Sequence, residues 1–330
     1  MGINNFKPFA AAGGANVMSQ ADYEALAALL TGFQSGTAQS QQLNKVWRQS
    51  SIMSAVLAQF IVDLTGQDAI DDGTTATLLA NLKTAVQVQS AAVVGQARNL
   101  TMSVMSASST ATLTADEIIV GAALGGQKYV LKQFSKTINL ASTGLGGMDT
   151  GSAPASGFVA LYAIYNPATQ TAALLATNAA TKQGNVYGGA NMPAGYTASA
   201  LVAVWPTNAS GQFAIGALND RTFYMVRLAA LNTAVSAPTL TPVNLAALVP
   251  VNAREVFGDI SGATTGGTSA TIQLAIGANS SNIGGINPTY SSVGQVYYKI
   301  PMVTPQTAWY IVSTTSGTVS FQINVAGYTF

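Results

Sequence analysis

The sequence predicts an α+β multidomain chain, with N-terminal helices that end in a short coiled coil, then two β-sandwich-like domains. Three observations carry this. Apolar residues recur at helical spacing only as far as about residue 98. Beyond it, short runs rich in Val, Ile, Thr, Tyr and Phe alternate with Gly, Asn and Pro turns, the pattern of strands. Between the two regimes, Thr75 to Leu100 reads in sevens. The expected divisions are a helical oligomerisation region over 1–98, a β-rich middle domain over 99–235, a Pro-containing linker over 236–250 and a C-terminal β tip over 251–330.

The chain opens on a Gly/Ala-rich stretch to Met18 that carries Phe6, Lys7, Pro8 and Phe9. Pro8 biases Lys7 toward extended geometry. Two aromatics so placed fit a docking arm, and a disordered terminus fits equally. Ser19 is a good helix N-cap with Asp22 three residues on, close to a capping box. Leu26, Leu29, Leu30 and Phe33 make one stripe, bracketed by Gly32 and Gly36. From Thr37 to Leu64 a second helical pattern includes Val46, Trp47, Ile52, Val56, Leu57, Phe60 and Leu64, with an expected break near Gln49–Ser51 and a stop at Gly66.

In the next helix Leu79, Val86, Val93 and Leu100 share one heptad position, and Leu82, Gln89 and Gln96 share its partner three residues on. That is an a/d seam with two polar layers. It predicts oligomerisation through these seven residues. A core helix of a small monomeric bundle, wet at Gln89 and Gln96, fits the same stretch.

After Asn99, strands are expected at Leu100–Thr114, at Glu117–Val120 and Lys128–Phe134 as a hairpin, then at Ile138–Leu140, Phe158–Tyr165, Ala172–Ala176, Leu201–Trp205, Gln212–Ala217 and Thr222–Leu231. Pro238, Pro242 and Pro250 mark the linker, though Leu240, Leu245 and Leu248 give it something to pack with. The tip holds further strands and ends on Tyr328 and Phe330, which predicts a packed terminus.

Composition narrows the function. Charged residues are only 8% of the 330, against about 25% in an average soluble domain, and the net charge is +1. A surface so poor in charge suits a protein that lives covered in an assembly. It argues against nucleic acid, which needs concentrated Lys and Arg. Cysteine and histidine are absent, which removes disulfides, thiolate chemistry, and the commonest general base and metal ligand. The opening residues lack a signal-peptide pattern, and no apolar run reaches the roughly 18 residues of a membrane span.

Weak motifs have plainer readings. Gly121 to Lys128 faintly imitates a phosphate loop, but Gln127 and Tyr129 break it, so a hairpin turn is expected. Asp68, Asp71 and Asp72 lack the alternate ligands of a calcium loop, so helix capping is expected. Glu255 and Asp259 share one strand face but stand roughly 13 Å apart, and the carboxylates in this half read as turn residues, strand ends or ion-pair partners of Arg221 or Arg254. No enzyme, cofactor or metal is therefore predicted. The aromatics are the more promising set, because exposed rings stack on sugars. Tyr290, Tyr297 and Trp309 are the candidate binding residues, though Trp309, like Trp205, lies in a strand and reads equally as core.

Several stretches together resemble the tail fibre, or receptor-binding, proteins of tailed bacteriophages and prophages. Asn4-Asn-Phe-Lys-Pro-Phe9, Ser19-Gln-Ala-Asp-Tyr-Glu24, Thr31-Gly-Phe-Gln-Ser-Gly36 and Lys45-Val-Trp-Arg-Gln-Ser50 resemble the tail-proximal segment. Thr114-Ala-Asp-Glu117, Met148-Asp-Thr-Gly151, Tyr165-Asn-Pro167 and Pro193-Ala-Gly-Tyr196 resemble a β domain of such fibres, and Ile323 to Phe330 is similar to their endings. The resemblance implies a homotrimeric virion fibre. Its N-terminus would dock on tail baseplate proteins, and its tip would bind a bacterial surface glycan or pilus. A purely structural baseplate or collar component is the alternative, and a polysaccharide depolymerase a more distant one.

Overall fold

The structure, a computed structural model, describes residues 2–34, 36, 39–88, 92–266 and 270–330. The change of hydrophobic period near residue 98 becomes a division into two compact units, Met1–Ala91 and Ala92–Phe330.

The first unit holds α1 (Gln20–Glu24), α2 (Ala28–Thr31), α3 (Ser40–Thr65) and α4 (Thr75–Val88). Ser19 caps α1 as its sequence predicts, accepting from the Asp22 amide. The stripe from Leu26 to Phe33 does not make one long helix; it breaks into two short ones, and Leu30 is 95% exposed. The break expected near Gln49–Ser51 is absent, since Ser50 and Ser54 return their hydroxyls to carbonyls four residues back and α3 runs on. Gly66 closes α3 in the left-handed conformation, φ 67°. Asp72 accepts from the Thr74 amide and hydroxyl, closing a turn just ahead of α4.

The N-terminal arm lies along α3. The Ala69 amide donates to the Ile3 carbonyl and the Asn5 amide to the Ala69 carbonyl, Asn4 reaches the Ala55 carbonyl, and the Phe9 amide donates to Ser51. Phe6 and Leu78 pack on Ala58, Val62 and Ala69.

In the second unit every strand pair is antiparallel. One sheet contains β1 (Ala97–Arg98), β2 (Thr101–Val104), β3 (Thr110–Gly121), β4 (Lys128–Asn139), β5 (Phe158–Asn166), β6 (Thr171–Asn178), β7 (Ala198–Pro206), β8 (Gly216–Asn219), β9 (Thr222–Thr233), β11 (Glu255–Thr265), β14 (Val293–Pro301) and β16 (Thr318–Thr329). Its order is β14-β11-β16-β9-β8-β2-β3-β7-β5-β6, with β1 and β4 also on β3. A second sheet runs β10 (Ala237–Asn244), β15 (Thr307–Thr314), β12 (Ile272–Gly277), β13 (Thr289–Tyr290).

The two sheets pack face to face at the C-terminal end, where Tyr310 of β15 stacks on Phe321 of β16 at 5.4 Å. Gly262 permits this approach, because a Cβ there would meet Leu274 at 2.7 Å. The expected hairpin forms between β3 and β4.

The sequence-based division of this region needs correction. Residues 99–235 and 251–330 are not separate domains, because β9 pairs with β16 along most of its length and one core runs through both. Tyr328 of β16 packs on Phe223, which lies against Trp205, and donates to the Val204 carbonyl of β7 at 2.8 Å. Nor is 236–250 a linker: residues 237–244 form β10, and Leu245 and Val249 are buried.

Candidate functional site

Strand alternation builds one outward face from four neighbouring strands, β9, β16, β11 and β14. Residues paired across strands point to the same side. Gly262, Ile260 and Val256 of β11 are buried, so Phe257, Asp259 and Glu255 take the other side. The register then sets Tyr224, Gly327, Phe257 and Lys299 in one row across the four strands. Asn324, Asp259 and Tyr297 make the next row.

Gly327 has no side chain to separate its neighbours. A Cβ there would run into the Phe257 ring, and so Tyr224 and Phe257 meet with centroids 5.5 Å apart, tilted by 60°. Tyr297 stands above them, 80% exposed. With Lys299, Thr222 and Thr329 these rings line an open cleft of about 460 Å³.

The rim is organised by two ion pairs. Arg227 grips Asp259 with Nε and Nη2, at 2.5 and 2.6 Å. Gln295 and Asn324 donate to the same carboxylate. Burial works against the Asp259 charge, but these donors outweigh it and hold its pKa below the ordinary carboxylate value. Lys299 pairs with Glu255 at 2.8 Å, and the Thr329 hydroxyl donates to the same Glu255 oxygen. The expected partners, Arg221 and Arg254, are in neither pair; Arg221 instead lies over the Phe330 ring. The sequence could not place these partners, since they lie on strands 32 and 44 residues away.

The three aromatics singled out in the sequence do not come together. Tyr297 belongs to the cleft. Tyr290 is half-buried against Gly294, its hydroxyl donating to the Gln295 carbonyl. Trp309 alternates with the core-facing Tyr310, which puts it on the outer face of the smaller sheet. Tyr224, Phe257 and Arg227 were not anticipated. Their signal was the spacing of Glu255, Phe257 and Asp259 at alternate positions, matched by Tyr297 and Lys299.

The helical site residues also fall differently. Helix α4 ends at Val88, so Val93, Gln96 and Leu100 do not extend a seam along it. Leu100 is buried in the β core, 2% exposed, and begins the alternation continued by Met102 and Val104. Gln89 lies outside the described residues. Leu79 and Val86 are exposed and Leu82 is half-buried. Of the docking residues, Lys7, Pro8 and Phe9 are exposed, whereas Phe6 is part of its own unit's small core.

A longer heptad seam stands on α3: Val46, Met53 and Phe60 at one position, Ser50, Leu57 and Leu64 at its partner. Met53 is 67% and Leu57 48% exposed. The face packed within the unit is a different one, centred on Ala58 and Val62. Among the described residues no cluster of acidic side chains could hold a metal. No helix among the described residues is long and apolar enough to cross a membrane. The sequence matches no protein-family model and no curated protein.

Proposed function

We propose that this chain is the subunit of a homotrimeric phage tail fibre, docked on the tail baseplate through its N-terminal unit and binding a bacterial surface receptor through its β unit. The observation that carries the reading is the uncovered α3 seam. Along this 26-residue helix, roughly 39 Å long, Met53 and Leu57 of the seam are exposed, and so are Trp47, Ile52 and Val56 beside them. Its own unit has little to cover them, since the buried apolar residues described there are Ala58, Ile61, Val62, Ala69 and Ala85. Other copies of the same helix supply the missing partners. The exposed seam residues of α4, Leu79 and Val86, add to that need. The sequence resemblance supplies three as the number of chains, and the aromatic cleft gives the β unit a surface for recognition.

Two measurements test the reading. Light scattering of the purified chain should give three times the 33.6 kDa chain mass. The soluble protein, added to host cells ahead of the phage that carries it, should block adsorption of that phage. A single-chain mass removes the bundle. Undiminished adsorption removes the receptor role and leaves a structural baseplate or collar component.

A further inference from the structure

We propose that the cleft formed by Tyr224, Phe257 and Tyr297 is a saccharide subsite that takes an uncharged hexopyranose. The inference deepens the receptor reading, and rests on it only for where the sugar is found. A pyranose has one face of C–H groups and a rim of hydroxyls, each of which can donate and accept. The cleft answers both. Its rings offer apolar, rigid area, held by central strand positions rather than by loops, so little entropy is lost on contact. Its volume falls within the range of about 300–1,000 Å³ usual for small-molecule sites. Around the rings, Lys299, Thr222 and Thr329 supply donors and hydroxyl acceptors, and Glu255 stands behind Lys299 as an acceptor.

Charge selects the class of sugar. From Phe223 to the last residue the chain has five charged side chains, Arg227, Arg254, Glu255, Asp259 and Lys299. Four of them stand on this one face, so a charge-poor surface has gathered its ionic groups beside its exposed rings. All four are spent in pairs, one cation to one carboxylate. The exposed pair, Lys299 with Glu255, presents donor and acceptor together, which suits hydroxyls, whereas Asp259 is buried and spends its oxygens on Arg227, Gln295 and Asn324; neither pair leaves a net charge to attract an acidic sugar.

The test is saturation-transfer NMR on the full-length protein with methyl hexopyranosides of gluco, galacto and manno configuration, beside the corresponding uronic acids. A neutral hexoside should bind, and its affinity should hold as sodium chloride is raised to about 0.5 M, since no net charge is screened. Tyr297→Ala, at a side chain that supports no core, should weaken binding about tenfold, or 1.4 kcal/mol. Lys299→Met should weaken it without changing the mass in solution. Binding confined to uronic acids and lost with salt would overturn the choice of sugar. Absence of hexoside binding, with Tyr297→Ala changing the oligomeric mass, would show the face covered by another copy and overturn the subsite. The two readings fail separately: unchanged hexoside binding by Tyr297→Ala sinks the subsite while blocked adsorption upholds the receptor role, and hexoside binding without blocked adsorption does the reverse.

Discussion

The two units solve the hydrophobic problem in opposite ways. The β unit turns Trp205, Phe213, Phe223, Phe321 and Tyr328 fully inward. The helical unit buries mostly alanine and small aliphatics and leaves Trp47, Met53, Val56 and Leu57 largely outside. Each fully buried large apolar side chain is worth about 1.5–3 kcal/mol. The β unit therefore carries its stability within one chain, and in the bundle proposed above the helical unit gains most of its own from the partner that covers α3. On that proposal folding and assembly are separable in one unit and joined in the other.

The largest effect should come from breaking the seam. Leu57→Asp together with Phe60→Asp places two carboxylates where apolar residues meet in the proposed bundle, and charged groups in such an interface cost far more than they return. Light scattering should fall to the single-chain mass of 33.6 kDa. The strand signal in circular dichroism should persist, because no residue of the β core is touched. Loss of both signals together would deny the contrast.

Tyr328→Ala tests the other side of it. Tyr328 joins the last strand to the centre of the sheet through ring contacts with Phe158 and Phe223 and a hydrogen bond to Val204. Truncating a buried aromatic of this kind costs about 3–5 kcal/mol. Urea unfolding should show that loss in the β unit with the oligomeric mass unchanged at low denaturant. A cost confined to residues 251–330 would restore the two-domain division that the sequence predicts.

Much of this was legible in residue order, and the failures have a common cause. Helical and strand periods, the Ser19 and Gly66 caps and the β3–β4 hairpin are local features, set by residues close in sequence. The heptad assigned to 75–100 failed because strand alternation imitated it: Leu100 recurs seven residues after Val93, yet it belongs to a period of two with Met102 and Val104. The α3 seam was visible as helical spacing, but nothing local says which of two apolar faces a helix keeps for its own chain. The cleft depends on β9, β16, β11 and β14 lying side by side, and that order brings Phe223 beside Tyr328 from 105 residues away. Proline in 237–244 is a linker signal in sequence, but β10 lies at the edge of its sheet, where a missing amide is tolerated.

Alkali should separate the units more gently than substitution. Tyr298 and Tyr328 are buried, and burial of the phenol raises both pKa values above the ordinary 10.0. Burial likewise raises that of Tyr162. Each hydroxyl donates to a backbone carbonyl, which a phenolate cannot do. A raised folded pKa contributes stability that is complete below the unfolded pKa and is lost as pH climbs through the folded one. The β unit should therefore weaken progressively above pH 10, followed as a falling urea midpoint. The helical unit holds one tyrosine, the half-buried Tyr23, and its helical signal should not follow that trend.

The smallest effect falls on the rim of the cleft. Asp259 accepts from Arg227, Gln295 and Asn324, so Asp259→Asn sets an amide donor among donors. The buried Asn324 amide then lacks that acceptor, at a cost of about 1–3 kcal/mol. The same contribution has a pH signature. Because its folded pKa is depressed, Asp259 stabilises the fold above the unfolded value near 3.8, and the contribution disappears as pH falls through the folded pKa. Wild type and Asp259→Asn should thus differ in urea midpoint at neutral pH and converge as pH falls below the unfolded value near 3.8. A gap that persists in acid would mean that shape at this position, rather than the charge on Asp259, holds β9, β11 and β14 together beneath the rings.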